Sequence, residues 1–212
     1  MRVAQTLGPS RVVVATSEET GDDEIERIAS KCGIPTIRGS LNDVFSRFVK
    51  AVDLYSPEVV IRITGDCPLY MPNLCEVMLE EFFKRRIDYL SNTLTPTFPD
   101  GCDIEIFVTS ALRELESEQL TTAELEHVTL GIYSRNTKFR CENFYNRRDE
   151  SFHRWTLDTS DDLGFVTRVY ESFAGNELSF TYQDVMNLLR ENPGLARYDD
   201  GSMRNSGSKS VE

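Results

Sequence analysis

Glu58-Val59-Val60-Ile61-Arg62-Ile63-Thr64-Gly65-Asp66-Cys67-Pro68-Leu69 opens as a β-branched run and closes in a glycine–acid–proline turn. Residues 58–64 have the length of a strand and lack the periodicity of a helix, so they read as the clearest strand in the chain. Asp66 then falls just past the strand's carboxyl end, the place where open α/β sheets hold ligands.

Working outward, the chain alternates. Upstream, residues 11–16 are a second β-branched strand, followed by a helix over 22–32 with Ile25, Ile28 and Ala29 on one face and Gly33 as its stop. A brief strand at 35–37 leads to Ser40-x-x-Asp43, which resembles a helix start, with Val44, Phe45, Phe48, Val49 and Val52 on one side. Downstream, the pattern predicts a helix over 73–84 and a strand at 88–90, then a turn-rich run to Gly101. A strand over 103–108 and helices over 110–118 and 123–135 come next. Strands at 139–144 and 154–157 and helices at 161–173 and 182–191 complete the pattern.

Such alternation implies an α/β fold in three αβα layers around a mixed, mainly parallel sheet. Residues 1–198 read as one domain. The stretch 92–146 breaks the alternation and reads as an excursion for substrate or dimer contacts, and 199–212 as a flexible polar tail.

The totals exclude several classes. A formal net charge of −12 over 212 residues argues against a nucleic-acid binder, which needs a basic face for phosphates. It leaves room for a small anionic ligand neutralised by a carboxylate-held divalent metal. No apolar run is long enough to span a membrane, and the N-terminus does not have the form of a secretory signal. Five widely spaced cysteines without a C-x-x-C pair, and only two histidines, favour reduced thiols in a cytoplasmic protein over zinc or disulfides.

Two aspartates stand at predicted strand ends: Asp66, and Asp158 in Arg154-Trp155-Thr156-Leu157-Asp158-Thr159. Carboxylates on neighbouring strand ends can hold Mg²⁺ and leave coordination positions for phosphate oxygens. Each has a plainer use, Asp66 as a cap on the turn before Pro68 and Asp158 as a cap on the next helix, a role that Ser160 or Asp161 also fits. Arg38-Gly39-Ser40 precedes a helix N-terminus, where amides and dipole welcome an anion, or forms an ordinary capped turn. The Phe98–Glu105 stretch offers polar groups to sugar hydroxyls or is simply a tight turn. His127 and Arg154 each fit either a substrate contact or a structural role.

Taken in order, these segments resemble the cytidylyltransferases of the spore-coat polysaccharide biosynthesis protein F type, relatives of the acylneuraminate and deoxy-octulosonate cytidylyltransferases. The stretches that carry the likeness are Val12–Ser17, Arg38-Gly39-Ser40-x-x-Asp43-Val44, Arg62–Leu69, Ser91-Asn92-Thr93, Pro99–Glu105, Glu126-His127-Val128-Thr129 and Arg154–Thr159. The resemblance implies a Rossmann-like nucleotide-diphosphosugar transferase fold and CTP-dependent activation of a sugar as its CMP conjugate, with release of pyrophosphate. It implies Asp66 and Asp158 as Mg²⁺ ligands, with Arg154 beside them in the catalytic group. Ala15, Thr16, Ser17, Arg38, Gly39, Ser40 and Asp43 would border the nucleotide. Asn92, Asp100, Glu105 and His127 would face the sugar, and relatives of this kind commonly form homodimers.

The likeness has departures. The family's opening strand and its Q-A-R-x-x-S-x-R-x-x-x-K loop, which wraps the triphosphate, have no counterpart in the sequence, and Leu125 stands where arginine is expected. The first strand is central in the family's sheet, so a gap in the ladder and impaired or absent activity are the expectations for this chain. Two other functions fit the same fold: a non-catalytic nucleotide- or sugar-binding domain, and a sugar-nucleotide glycosyltransferase. The glycosyltransferase lacks its usual D-x-D motif here, where the strand end reads Gly65-Asp66-Cys67.

Overall fold

Strands and helices alternate through residues 2–198, the part of the chain that this computed structural model describes; the tail expected at 199–212 lies outside it. After a short α1 (Ala4–Leu7), β1 (Val14–Ser17), α2 (Asp23–Lys31) and β2 (Thr36–Gly39) form a β-α-β unit whose strands pair in parallel, Val14 opposite Thr36 through Ser17 opposite Gly39. The remaining strands are β3 (Val59–Arg62), β4 (Tyr89–Ser91), β5 (Glu105–Val108) and β6 (Cys141–Asn143). They form a second sheet in the order β3-β5-β4-β6, in which β4 and β6 are parallel and β5 runs against both of its neighbours. The turn-rich connection after β4 needs no crossover helix, which permits the reversal. The stretch 92–146 thus supplies β5 and β6 to the sheet.

Adjacent residues on β4 and β5 show that this sheet is covered on both faces. Leu90 and Ile106 enter one apolar cluster with Met71, Met78, Trp155 and Phe165, while Tyr89 and Phe107 enter the other with Phe45, Val52 and Leu112. All four strand residues are fully buried, each contributing roughly 1.5–3 kcal/mol by leaving water. The first cluster is closed by α4 (Pro72–Arg85), α8 (Ser160–Ser172) and α9 (Tyr182–Glu191). The second is closed by α3 (Val44–Tyr55), α5 (Thr109–Glu116) and the short α6 (Thr122–Glu126) and α7 (Leu130–Tyr133). The result is the three-layer arrangement that alternation implied.

The ladder is divided between β1 and β3. Each has a single strand neighbour among the described residues and therefore one unpaired edge, which agrees with the gap that the resemblance implied. α3 bridges the two parts: it rests on β1 and β2 and also buries Phe45 and Val52 beside Tyr89 and Phe107.

Three local expectations need correction. The helix expected over 123–135 is interrupted. Val128, fully buried, takes a φ of +30°, a conformation that a β-branched residue adopts only when its surroundings impose it. Residues 154–157 are not a strand of either sheet; their bonding is a set of single bonds to different segments, with isolated bridges at His153 and Arg154. Finally, α3 starts at Val44 and not behind Ser40. Its N-cap is Asp43, whose own carboxylate accepts from Ser46 N at 2.9 Å and fills the place an anion would take.

Candidate active site

The extended segment His153–Leu157 is gripped from both edges. Trp155 N donates to Asp100 O (2.7 Å) and Leu157 N to Asp66 O (2.9 Å), while on the other edge Arg154 N donates to Arg197 O (3.0 Å). Gly101 makes the grip possible: it has a φ of +96°, and a Cβ there would lie 2.6 Å from the carbonyl carbon of Trp155. These bonds bring the turn after β3, the turn around Asp100 and the segment before α8 to one place. Asp66, Asp100, Arg154 and Asp158 therefore assemble although they come from three distant stretches of chain.

Arg154 is the centre of charge. Its side chain is 6% exposed, and it donates through Nη2 to Asp158 Oδ2 (2.6 Å) and through Nε and Nη2 to both oxygens of Asp162 (3.2 and 3.1 Å). Its Nη1 lies 3.6 Å from Asp100 Oδ2. Hydrogen bonding to Asp162 raises the guanidinium above its ordinary pKa against the opposing effect of burial, so it stays charged. Asp162 is 1% exposed and also accepts from the amides of Asp158 and Thr159 and from Arg197 Nη2. Burial alone would favour its neutral acid, but these donors outweigh it and hold the carboxyl far below the usual range.

The plainer use for Asp158 is not taken. The cap of α8 is Thr159, whose hydroxyl accepts from Asp162 N (3.2 Å) in a reciprocal capping box, so Asp158 is left facing outward with 37% of its side chain exposed. Asp66, half-buried, has the Cys67 thiol 3.6 Å from its Oδ1. That thiol is pushed well up by burial and by the nearby Asp103 and Asp66 carboxylates, and remains a neutral donor.

The residues expected at the sugar divide in two. Asp100 joins Arg154, as above. Glu105, at the start of β5, is buried and accepts from Arg62, from Tyr89 Oη (2.7 Å) and from Thr129 Oγ1. Asn92 is buried and spends its side chain on Cys102 O (2.8 Å) and Ile104 N (2.9 Å), fixing the turn into β5. His127 sits at the end of α6 beside the strained Val128, with its Nε2 buried and without a hydrogen-bond partner. Thr129 links this group to Glu105.

The expected nucleotide border lies on the other sheet and is tied to itself. Thr16 Oγ1, Ser17 N and Ser17 Oγ all donate to Asp22 Oδ2 (2.6, 2.8 and 2.6 Å), which holds that carboxyl down to about 2, the Ser17 hydroxyl contributing most. Arg38 is shared among Ser17 O, Glu19 O, Asp23 and Glu26, whose hydrogen bonds raise its pKa. Ala15 O accepts from Arg47 at 3.5 Å, Gly39 O accepts from Glu18 N at 2.8 Å, and Ser40 Oγ accepts from Asp43 N at 3.2 Å. A Cβ on Gly39 would come within 2.8 Å of Arg47 Cγ. These groups form a shaped edge, and their charged members already have protein partners. Two surface cavities, of about 590 and 230 Å³, lie elsewhere, beside Arg168 and Asn192 and beside Gln5 and Glu76. Asp66 and Asp158 sit instead on the turn after β3 and on the extended segment before α8.

Asp162 and Arg62 were not singled out from sequence. Asp162 was visible only as position N3 of a Thr159-x-x-Asp162 capping box, and Arg62 only as the lone charge in an apolar strand.

A family model described as cytidylyltransferase matches residues 2–184. The chain belongs to the cytidylyltransferase family. Among the relatives of this chain is the spore coat polysaccharide biosynthesis protein SpsF of Bacillus subtilis, 32% identical over a match of 190 residues that covers 87% of this chain and 77% of that protein. An uncharacterized protein of Methanocaldococcus jannaschii is 28% identical over 205 residues, covering 95% and 81%. A solved cytidylyltransferase of Leptospira borgpetersenii serovar Hardjo-bovis superposes with a TM-score of 0.85 at 35% identity, over 92% of this chain and 82% of the other. The cytidylyltransferase family thus accounts for the Rossmann-like nucleotide-transferase fold, and the family match spans both sheets and the segments that carry Asp66 and Asp158. Among the described residues, no helix is long and apolar enough to cross a membrane.

Proposed function

We propose that this cytidylyltransferase transfers the CMP group of CTP to an oxygen of a sugar, with Mg²⁺ held by Asp66 and Asp158, in the making of a surface polysaccharide or other glycan. A P–O bond forms to the sugar oxygen as the bond to the leaving pyrophosphate breaks, and the proton of the attacking group passes to solvent or a nearby carboxylate. The observation that carries the proposal is the Leu157 N to Asp66 O bond, which sets the two carboxylates on adjoining segments while Thr159 leaves Asp158 free of helix capping. An all-oxygen donor pair suits Mg²⁺, which keeps several positions for water and phosphate. Among the described residues no group of three or more His, Cys, Asp or Glu is placed to hold a metal ion by itself.

When bound, the metal would neutralise phosphate charge. Arg154 supplies a fixed positive charge beside it, and alignment with charge neutralisation is the main need of phosphoryl transfer. The edge formed by Ala15–Ser17 and Arg38–Asp43 shapes the nucleotide side through its main chain, since its side chains are committed to one another. Asp100 and His127 face the sugar, with Asn92 and Glu105 holding the turn and strand that present them. Slow turnover by this chain is part of the proposal, because β1 and β3, whose ends carry Ser17 and lead to Asp66, share no ladder. A homodimer in the cytoplasm is the expected setting.

Calorimetric titration with Mg-CTP, against Mg-ATP as control, tests the reading. Heat with CTP that is lost in Asp66→Ala and Asp158→Ala supports it. CTP binding unchanged in both variants removes the pair from the site, and binding without pyrophosphate release from CTP and sugars would favour a binding domain.

A further inference from the structure

Asp158 already has a cation on it. Its Oδ2 accepts from Arg154 Nη2 at 2.6 Å, the shortest of the guanidinium's bonds to Asp158 and Asp162. A divalent cation drawn to that carboxylate meets a positive charge at the same oxygen, so the two compete for it. The two ends of Arg154 differ in strength. Toward Asp162 the contact is two-pronged and buried, with the acceptor 1% exposed; toward Asp158 it is a single bond with the acceptor 37% exposed. A single bond whose acceptor is open to solvent is weaker than a two-pronged buried contact. The Asp158 end is the one that yields.

We propose that the Arg154–Asp158 pair is a latch on the metal site: a divalent cation binding at Asp158 displaces Arg154 Nη2, while Asp162 keeps the guanidinium in place. The freed N–H is then available to an anionic oxygen, so the metal and the arginine reach the substrate together. Without metal, the arginine is spent on Asp158 and the site has reduced pull on a nucleotide. Asp162 acts as a positioning residue, because its contacts with Arg154, Arg197 and the Asp158 and Thr159 amides hold the frame while one bond changes.

The latch rests on the metal reading of Asp66 and Asp158, and its test separates the two. Mg²⁺ alone is titrated into the full chain, followed by calorimetry and by the ¹⁵N side-chain resonance of Arg154, assigned with Arg154→Lys. The expected result is an Arg154 signal that moves with the same midpoint as the heat, and loss of both in Asp158→Asn. Arg154→Lys keeps the charge but has one nitrogen in place of the fork that spans Asp158 and Asp162, so its hold on Asp158 weakens and Mg²⁺ should bind about fivefold more tightly. Should that variant unfold, the wild-type resonance decides. If Mg²⁺ binds and Asp158→Asn abolishes it, yet the Arg154 signal stays still, the latch is wrong and the metal site stands. If wild type and Asp158→Asn behave alike toward Mg²⁺, the metal reading fails and the latch falls with it.

Discussion

The main-chain N–H of Leu157 donates to the main-chain carbonyl of Asp66 at 2.9 Å, joining the turn after β3 to the segment that leads into α8. Each lies beside a candidate carboxylate: Asp66 carries its own, and Leu157 precedes Asp158. Because the bond is between backbones, it fixes the approach of the two segments whatever the side chains do. The approach of the two segments is therefore a property of the backbone, and substitutions at Asp66 and Asp158 can test chemistry without dismantling it.

Asp66→Ala and Asp158→Ala should each weaken Mg²⁺-dependent CTP binding by about tenfold or more, the equivalent of ~1.4 kcal/mol. Thermal unfolding should change little, since neither side chain belongs to the apolar clusters. Paired titration and melting curves check both halves of the expectation.

Asp162→Ala should cost about 3–5 kcal/mol of stability, the usual result of removing one partner of a buried ion pair. It leaves the Arg154 guanidinium buried and short of its two-pronged acceptor. The pH dependence has a definite sign. A carboxyl held below its ordinary 3.8 stabilises the fold fully above that value, and the contribution is lost as pH falls through the lowered folded value. Denaturant unfolding of wild type and variant should converge in strong acid.

Gly101→Ala should destabilise by more than about 1 kcal/mol, because it meets both a positive φ and the backbone of Trp155. The same change at Gly194, where an added Cβ meets nothing within 4 Å, serves as the control. Differential melting of the two variants gives the comparison.

His153 should make the fold sensitive to mild acid. Burial pushes its pKa below the ordinary 6.5, against the pull of Glu150 and its main-chain contact with Arg197. The unfolded chain is then the better proton acceptor just below 6.5, so stability falls as pH drops from there through the lowered folded value. His153→Gln should lose less stability than wild type between about pH 7.5 and about pH 5.5, read by denaturant midpoints. An equal loss in both would place the acid sensitivity elsewhere.

Much of the frame was legible because it is local. Periodicity marks α2, α3, α4, α8 and α9, and the β-branched runs mark β1 and β3, because burial of one face leaves a repeat in the sequence. The interruption at Val128 left no such mark: its helix-compatible residues are overruled by the burial of Val128 and the reach of Thr129 to Glu105. Residues 154–157 looked like a strand because they are extended and apolar in part. Whether an extended segment belongs to a sheet depends on partners that lie far away in the chain.

By itself the sequence determined the α/β class, the ordered set of family segments and the two aspartates past apparent strand ends, since each is written in neighbouring residues. Tertiary structure alone decided who touches whom. It placed Thr159 and not Asp158 on the helix end, turned Glu105 toward Arg62, Tyr89 and Thr129, committed Thr16, Ser17 and Arg38 to protein partners, and set Arg154 between Asp158 and Asp162. The physical reason is that a side chain's chemistry is fixed by its type, whereas its charge state and availability are fixed by the donors and acceptors that folding brings within about 3 Å.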